Sequence, residues 1–581
     1  MLIVVRRRDG WQTLLVIAGS SPLYGVADRF VSRWAELEPT QGLIFGLAGT
    51  PGRLSDWSPE GRARVADALR QGLAELDRTP LLHGADRRAA AVMRDRLQIW
   101  LASAAAHDWA LQLDSGFLGP PAMDRMALST ARLADAGDAE LLARRLSGLP
   151  GGMQGYAAAL RLGLDEGRPG AGVLAERLVG MLRASASSDG GYFRGLAAQA
   201  AALPGVDAQV AGQLDAAGRA ADMAFDELAD WLEREYLPRA AQDPAAGPER
   251  YARGLQEHLG LAADPVELPV WGWEELDRLE QEMRREAAAG WPGLPLQEVL
   301  ERLDNDPSEP SAAGPVELLD WLRQVDRRVA QRLAEEFDIP PQLGELRHQL
   351  APPGSAAGAY YLPPTEDGAR PGVVVWTVPA GRVPLWRWQT VAHHEGMPGH
   401  HLELGGLRFL PVPLSRFQTA LCEISGYSEG WALYAERFMD ELGAFDRPAT
   451  RLGFLVSQAF RAIRVAVDTG LHLGLRVPTG LADPAAGQVI TPQVAVGLLV
   501  RHGWQTEDFA RSEVLRYLGT PGQAVAYKVG EREWLRVRAQ AQQRIPGLTA
   551  QQFHTAALRL GPLPLRLLGP EVITALDDAA H

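Results

Sequence analysis

The string His394-Glu395-Gly396-Met397-Pro398-Gly399-His400-His401 sets a glutamate beside one histidine and follows it closely with two more. About thirty residues on, Ser428-Glu429-Gly430-Trp431-Ala432-Leu433-Tyr434 adds a carboxylate in a helical pattern. Imidazole nitrogens and a carboxylate oxygen are donors that hold zinc, and a neighbouring glutamate can take the proton of a water that the ion polarises. That is the chemistry of a metal-dependent peptidase. Cys422 is the only cysteine, so no thiolate cluster and no internal disulfide is open to this chain.

The spacing departs from the usual helical motif, in which two histidines stand four apart on one face. The fourth residue after His394 is Pro398. On a regular helix His400 lies about 240° round from His394, while His401 is in phase but roughly 10 Å along the axis. Neither can share an ion with His394 unless the helix is interrupted. Pro398 removes a donor and clashes with the preceding turn, and Gly399 tolerates unusual dihedrals. Two geometries then stay open. A two-residue bulge would bring His400 to the place normally held by the fourth residue, or the helix breaks and His400 or His401 arrives on the next segment. The plain alternative is a kinked surface helix with ordinary histidines. Glu429 favours a site. Cys422 to Asp440 reads as a second helix, on which Gly426 and Gly430 permit close approach to a neighbour. It offers Glu423, Glu429 and Glu436, the last two seven apart on one face.

The elements that must position these groups are mostly helical. Arg87 to Leu113, Asp207 to Glu235, Trp273 to Ala289 and Val316 to Phe337 carry apolar residues at three- and four-residue spacing with charged faces between. Pro384 is placed to open the helix that runs to His394. Between Ile339 and Gly372 the composition turns to Pro, Gly and Ala, and Val373 to Val378 follows as the clearest strand. A boundary near residue 340 therefore separates an N-terminal helical region, 26–340, from a catalytic region, 341–581. An edge strand beside a zinc helix can pair with an extended peptide, which makes Val375 a substrate-contact candidate.

Further residues offer support. Thr520-Pro521-Gly522-Gln523 reads as a capped helix start, with Tyr527 one turn beyond Gln523 and able to donate to an oxyanion. Arg461, Asp468 and His472 share a helical face; His472 could serve the oxyanion and Asp468 could orient a ligand histidine, a buried ion pair being the competing explanation. Arg464 and Lys528 could meet a substrate carboxylate, although such residues are more often solvated.

With 581 residues, 46% of them hydrophobic, the chain can bury one large core or several smaller ones. A net charge of -14 argues against a nucleic-acid partner. No apolar run is long enough to span a membrane, which argues against a membrane partner. Arg6, Arg7 and Arg8 before Leu14-Leu15-Val16-Ile17-Ala18 faintly resemble a secretory signal, but the apolar stretch is short and Trp11-Gln12-Thr13 interrupts its approach. A cytoplasmic protein with a non-conforming tail over residues 1–25 is expected.

These strings carry a resemblance. The chain resembles a bacterial family of metallopeptidase-like proteins with the signatures H-E-x-x-P-G-H-H and E-G-W-A-L-Y, distantly similar to the all-helical gluzincins such as the thermostable carboxypeptidases and neurolysin-like oligopeptidases. Further support comes from Tyr360-Tyr361 with Pro363-Pro364 and Asp367-Gly368, and from Val467-Asp468-Thr469-Gly470-Leu471-His472. Pro521-Gly522-Gln523-Ala524 with Tyr527-Lys528 and Gly530, and Phe553-His554 with Gly561-Pro562-Leu563-Pro564, complete it. The resemblance spans about residue 26 to the C-terminus. It implies a mainly α, two-lobed, zincin-like fold with a small β-sheet beside the active-site helix. It also implies zinc (Zn2+) on His394, His400 and Glu429, with Glu395 as general base; beside these, Tyr527 and His472 are expected on the oxyanion and Tyr361 among the substrate contacts. Glu436, Asp468 and His401 would stand behind the ligands. The expected activity is cleavage of short peptides. A metal- or peptide-binding protein without peptidase activity, and a zinc amidase for a non-peptide amide, are the alternatives.

Overall fold

The computed structural model describes residues 2–7, 10–15, 21–50, 52–113, 119–187, 190–351 and 358–580. The chain is mainly α, with sheets of only two or three strands. β1 (Leu2–Arg7) and β2 (Gly10–Leu15) pair as an antiparallel hairpin, and the first helix, Pro22–Leu37, begins inside the segment expected to be a tail. Arg8 and Val16 to Ala18 of the signal-like stretch lie outside the described residues.

The periodic segments become helices for the reasons their sequences give. Asp207 caps Ala208–Trp231 by accepting from the Val210 amide at 2.8 Å, and Leu214, Ala217, Ala221, Phe225 and Leu228 form its buried stripe. Gly84–Ala105, Glu267–Gly290 and Pro315–Arg332 answer the other three segments. Glu267–Gly290 runs along the most buried helix of the chain, Pro448–Leu473, and Gly272 makes this possible: a Cβ there would stand 3.0 Å from the Val465 Cβ. One hydrophobic cluster continues from Leu23 to Leu576, so the N-terminal and catalytic regions share a core across residue 340.

β3 (Ser311–Ala312) pairs with β7 (Val383–Pro384). β4 (Arg347–Leu350), β5 (Ala359–Leu362) and β6 (Val373–Trp376) form the three-stranded sheet in the order β4-β6-β5. The valine strand is thus the centre of its sheet, hydrogen-bonded on both sides and fully buried. Val375 therefore cannot pair with a substrate backbone, and the edge position belongs to β5. Pro384 ends a strand instead of opening a helix. A 3-10 turn, Leu385–Arg387, intervenes before the helix Trp388–Glu395.

Two tight approaches fix the site's second helix, Ser425–Glu441. Gly430 meets Gly530 of the helix Ala526–Arg544, where an added Cβ would lie 2.4 Å from the Gly530 Cα. An added Cβ on Gly426 would lie 2.9 Å from the Leu565 Cδ1 and 3.2 Å from the His258 carbonyl oxygen. The small residues foreseen on this helix do permit backbone-to-backbone packing.

Candidate metal centre

The helix carrying His394 ends at Glu395, and a new one, His400–Gly406, starts four residues after Gly396. The interruption is a true break and not a bulge. Gly399 folds back so closely that a Cβ on it would overlap the His394 carbonyl oxygen at 1.9 Å, and the Trp431 indole donates to the Pro398 carbonyl at 2.9 Å. Trp431 thus clamps the break from the second helix.

The consequence is convergence. Donor atoms of His394, His400 and Glu429 all lie within 4.8 Å of one another, and among the described residues this is the one such group of three. The His394 Nε2 is 3.1 Å and the His400 Nε2 is 3.4 Å from the same Glu429 oxygen, Oε2. The two imidazoles stand nearly perpendicular, with ring centroids 4.9 Å apart. Between the two candidate histidines the structure discriminates clearly. His401 turns away, its Nδ1 3.0 Å from the Tyr361 hydroxyl and its Nε2 3.4 Å from the Gly344 carbonyl oxygen.

Glu436, one face with Glu429, stands behind His394. Its Oε1 accepts from the His394 Nδ1 at 2.8 Å, and its Oε2 accepts from the Thr390 hydroxyl at 2.8 Å and the Ser457 hydroxyl at 3.2 Å. This fixes the tautomer that leaves the His394 Nε2 lone pair facing the cluster. Burial opposes a charge on His394, yet the Glu429 and Glu436 hydrogen bonds outweigh it and hold the imidazole up at about 9. Burial likewise pushes Glu429 up, but the two histidines more than offset it and hold the carboxyl well below the usual range. The surroundings favour positive charge at this point.

Glu395, beside His394, is buried and its Oε2 has no hydrogen-bond partner. Burial raises its carboxyl above the ordinary value, while His394 and His400 pull the other way. Tyr527 lies on the opposite wall, its ring stacked over that of His394 at 6.2 Å. Burial, then the charge of Glu429, raises its phenol, so the hydroxyl stays a donor at neutral pH. It reaches this place differently from expectation. Residues 521–525 are turns, the helix begins at Ala526, and the Thr520 hydroxyl donates back to the Arg516 carbonyl. Gly522, at φ +85°, packs on the backbone of Leu255.

Several expected site residues are engaged elsewhere. His472 accepts from the Ala246 amide and donates to the Tyr517 carbonyl, both at 3.1 Å, so no N–H is left for an oxyanion. The Asp468 Oδ2 accepts from the Tyr251 hydroxyl and the Gly522 amide, not from a ligand histidine; Glu436 fills that role. The Lys528 ammonium is 1% exposed and held by Gln458, Glu275 and Glu531. Arg464 pairs with Glu513 at 2.6 Å through Nη2 and lies 4.8 Å from the Tyr527 ring centre, where it braces the phenol, while its buried Nε and Nη1 have no hydrogen-bond partner. Tyr361 is buried on β5 with its hydroxyl given to His401, and its ring stacks at 6.5 Å on His400. It buttresses the ligand.

Sequence reading missed Thr390, which lies one turn before His394 and so faces Glu436 with it, and Ser457, which no spacing signals. It also missed Glu403, three residues after His400. That side chain is 2% exposed with neither carboxylate oxygen hydrogen-bonded. Burial, then the charges of Glu429 and Glu423, push it up to about 8.

The fold and the site together define a class: a mainly α protein that gathers two histidines from two short helices and a glutamate from a longer one. Over residues 39–572 the chain matches one family model, and it belongs to that bacterial family of proteins of unknown function, DUF885. It is similar in fold to a "putative lipoprotein" of Colwellia psychrerythraea, at 19% identity and a TM-score of 0.81, covering 96% of this chain and 99% of that one. A second likeness, to a "putative lipoprotein of unknown function" of Shewanella oneidensis, has 17% identity and a TM-score of 0.71, covering 95% and 99%. No curated protein matches the sequence. Among the described residues no helix is long and apolar enough to cross a membrane.

Proposed function

We propose that this protein is a zinc-dependent hydrolase that cleaves short peptides. The observation that carries the reading is the convergence of His394, His400 and Glu429 within 4.8 Å, with a free buried oxygen of Glu395 alongside. The donor set fits zinc: two imidazoles and one carboxylate make a three-ligand site of the catalytic kind. The excess of acceptors around His394 also calls for a cation. When bound, zinc would supply Lewis acidity toward a water and toward the carbonyl to be cleaved.

The chain's own groups do the rest. Glu436 holds the His394 Nδ1–H, so that Nε2 is presented without its proton. Glu395 takes the proton of the attacking water at its unpartnered Oε2 and returns it to the nitrogen of the leaving amine. The Tyr527 hydroxyl donates to the carbonyl oxygen as that oxygen gains charge, with Arg464 behind the ring. Burial of these groups strengthens each interaction by excluding water.

Both structural relatives carry the description "putative lipoprotein", which favours the cell envelope over the cytoplasm for this chain. Cys422 is buried in the core and is not a lipid attachment point.

The test is metal analysis together with turnover of a mixed peptide library followed by mass spectrometry. One equivalent of zinc, cleavage by the wild type, and a Glu395→Gln variant that keeps zinc but loses cleavage are expected. A protein without bound zinc, or equal turnover by the variant, overturns the reading. Zinc without cleavage of any peptide leaves a metal-binding protein or an amidase for other amides.

A further inference from the structure

A cavity of about 450 Å³ adjoins the metal helix without belonging to the metal centre: neither His394, His400 and Glu429 nor Glu395 and Tyr527 lines it. Its walls come from the helix Pro315–Arg332, the helix Trp388–Glu395, and the segment where Ser425–Glu441 passes into Pro448–Leu473. The volume is that of a small-molecule pocket, about 300–1,000 Å³. Val329, Trp386 and Met439 are buried and Trp321 is half-buried, so the floor is apolar and partly aromatic.

The rim is basic. Arg328, Arg332 and Arg447 line it and are exposed, against one lining carboxylate, Asp446. Arg447 is paired with Glu309 at 2.8 Å, and Arg332 donates to the Leu442 carbonyl at 3.2 Å. Arg328 makes no hydrogen bond or ion pair among the described residues. Three guanidiniums thus stand against two carboxylates, which leaves one positive charge in excess. Of the neutral polar residues on the wall, Gln389 donates to the Ala444 carbonyl and Thr450 to the Arg447 carbonyl. His393 is different. It is 1% exposed, and its Nδ1 donates to the Met397 carbonyl at 3.2 Å, which leaves Nε2 of the neutral ring as an acceptor. That Nε2 is buried and has no partner. A buried acceptor left unmet is costly, and a ligand N–H would relieve it.

We propose that this cavity is a second ligand site, for an apolar α-amino-acid residue with a free carboxylate and an amide N–H. The side chain lies on the tryptophan floor, the carboxylate meets Arg328, and the N–H meets the His393 Nε2. An acylated amino acid and the C-terminal residue of a peptide share this chemistry. The site does not depend on the hydrolase reading of the neighbouring centre. It does adjoin that centre, because Gln389 and His393 stand one turn apart on the helix that carries His394.

The test is binding, measured by titration calorimetry on the full-length Glu395→Gln protein so that no probe is consumed. N-acetyl-phenylalanine carries all three features. N-acetyl-phenylalanine amide lacks the carboxylate, N-acetylglycine the apolar side chain, and 3-phenylpropionate the N–H. The first should bind at one equivalent, the amide and the glycine compound about tenfold more weakly, and phenylpropionate about fivefold more weakly. Arg328→Glu, an exposed position whose folding circular dichroism verifies, should weaken N-acetyl-phenylalanine about fivefold or more and leave the amide unchanged. Tighter binding of Ala-Ala-Phe than of N-acetyl-phenylalanine would identify a peptide C-terminus as the source of the ligand, and weaker binding an acylated amino acid. No binding of N-acetyl-phenylalanine, equal binding of any of its three truncated forms, or an affinity untouched by Arg328→Glu overturns the proposal. Failure of the hydrolase reading shows separately, as absence of zinc or of turnover in the wild type.

Discussion

Glu436→Gln isolates the orientation of one ligand from the presence of all three. The carboxylate is completely buried and serves four groups: the His394 Nδ1 at 2.8 Å, the hydroxyls of Thr390 and Ser457, and the Gln458 amide at 3.4 Å. Glutamine has the same volume, so no cavity forms. Its oxygen can still face the His394 N–H, and its amine can face the two hydroxyls, which rotate to accept. What is lost is the charge. A hydrogen bond to a charged group is worth about 1.5–3 kcal/mol, against about 0.5–1.5 kcal/mol for a neutral one. The difference of about 1.5 kcal/mol is roughly tenfold in an equilibrium constant, at the lower end of the 10–100-fold range seen for partners behind metal ligands. Zinc affinity, measured by competition with a chromophoric chelator, should therefore fall about tenfold to a hundredfold in a protein whose circular dichroism is unchanged. A folded Glu436→Gln protein that binds zinc within twofold of the wild type would refute the role given to this carboxylate.

Other perturbations read other parts of the argument. Tyr527→Phe removes the donor facing the reacting carbonyl and should lower kcat by about 10²–10³ with little change in KM; steady-state kinetics on a cleaved peptide would show it, and an equal loss in KM would reassign the phenol to binding. Gly530→Ala would place a Cβ 2.0 Å from the Gly426 carbonyl oxygen and 2.6 Å from the Gly430 Cα. Urea unfolding should register about 3 kcal/mol or more of destabilisation, since backbone stands against backbone and no side chain can yield. Burial raises the Asp124 carboxyl to about 7, against the partial relief of its Thr40 and Trp57 hydrogen bonds. A folded-state value above the unfolded one adds stability below about pH 4 that is lost as pH rises through 7, about 4 kcal/mol in all. Asp124→Asn should flatten that decline in thermal melts between pH 5 and 8.5, and an unchanged slope would count against it.

How much of this was legible in the sequence follows from where each residue's partners lie. Helices with apolar stripes were legible because periodicity is local, and so was the shared face of Glu429 and Glu436, but the pairing of His394 with Glu436 was not, and Asp468 was expected in that place. The break after Glu395 was legible only as two options, since proline and glycine announce an interruption without its geometry. The Trp431 contact to the Pro398 carbonyl, which selects between them, joins residues 33 apart. Val375 was misplaced because a short apolar strand reads alike at the edge and at the centre of a sheet. His472, Lys528 and Arg464 were misread for one shared reason. Each is a polar group with a partner far along the chain, Ala246, Glu275 and Glu513 in turn, and only the fold shows that partner, although the Arg464 Nε and Nη1 stay without one.

Those commitments also explain the polarity of the site. Several cations near the centre are spent on carboxylates outside it: Lys528 on Glu275 and Glu531, Arg437 on Glu531, Arg464 and Arg516 on Glu513, while Arg461 lies 4.0 Å from the Glu436 Oε1 behind His394. Glu395 and Glu403 make no ion pair among the described residues, and Glu429 has only histidines. Burying carboxylates unpaired is costly, and a fold retains them where a ligand supplies the missing charge. An ion between His394, His400 and Glu429 would meet that demand. Replacing Glu429 with Gln should therefore weaken zinc binding, measured by chelator competition, by more than Glu436→Gln does, and an equal or smaller loss would refute its place among the ligands.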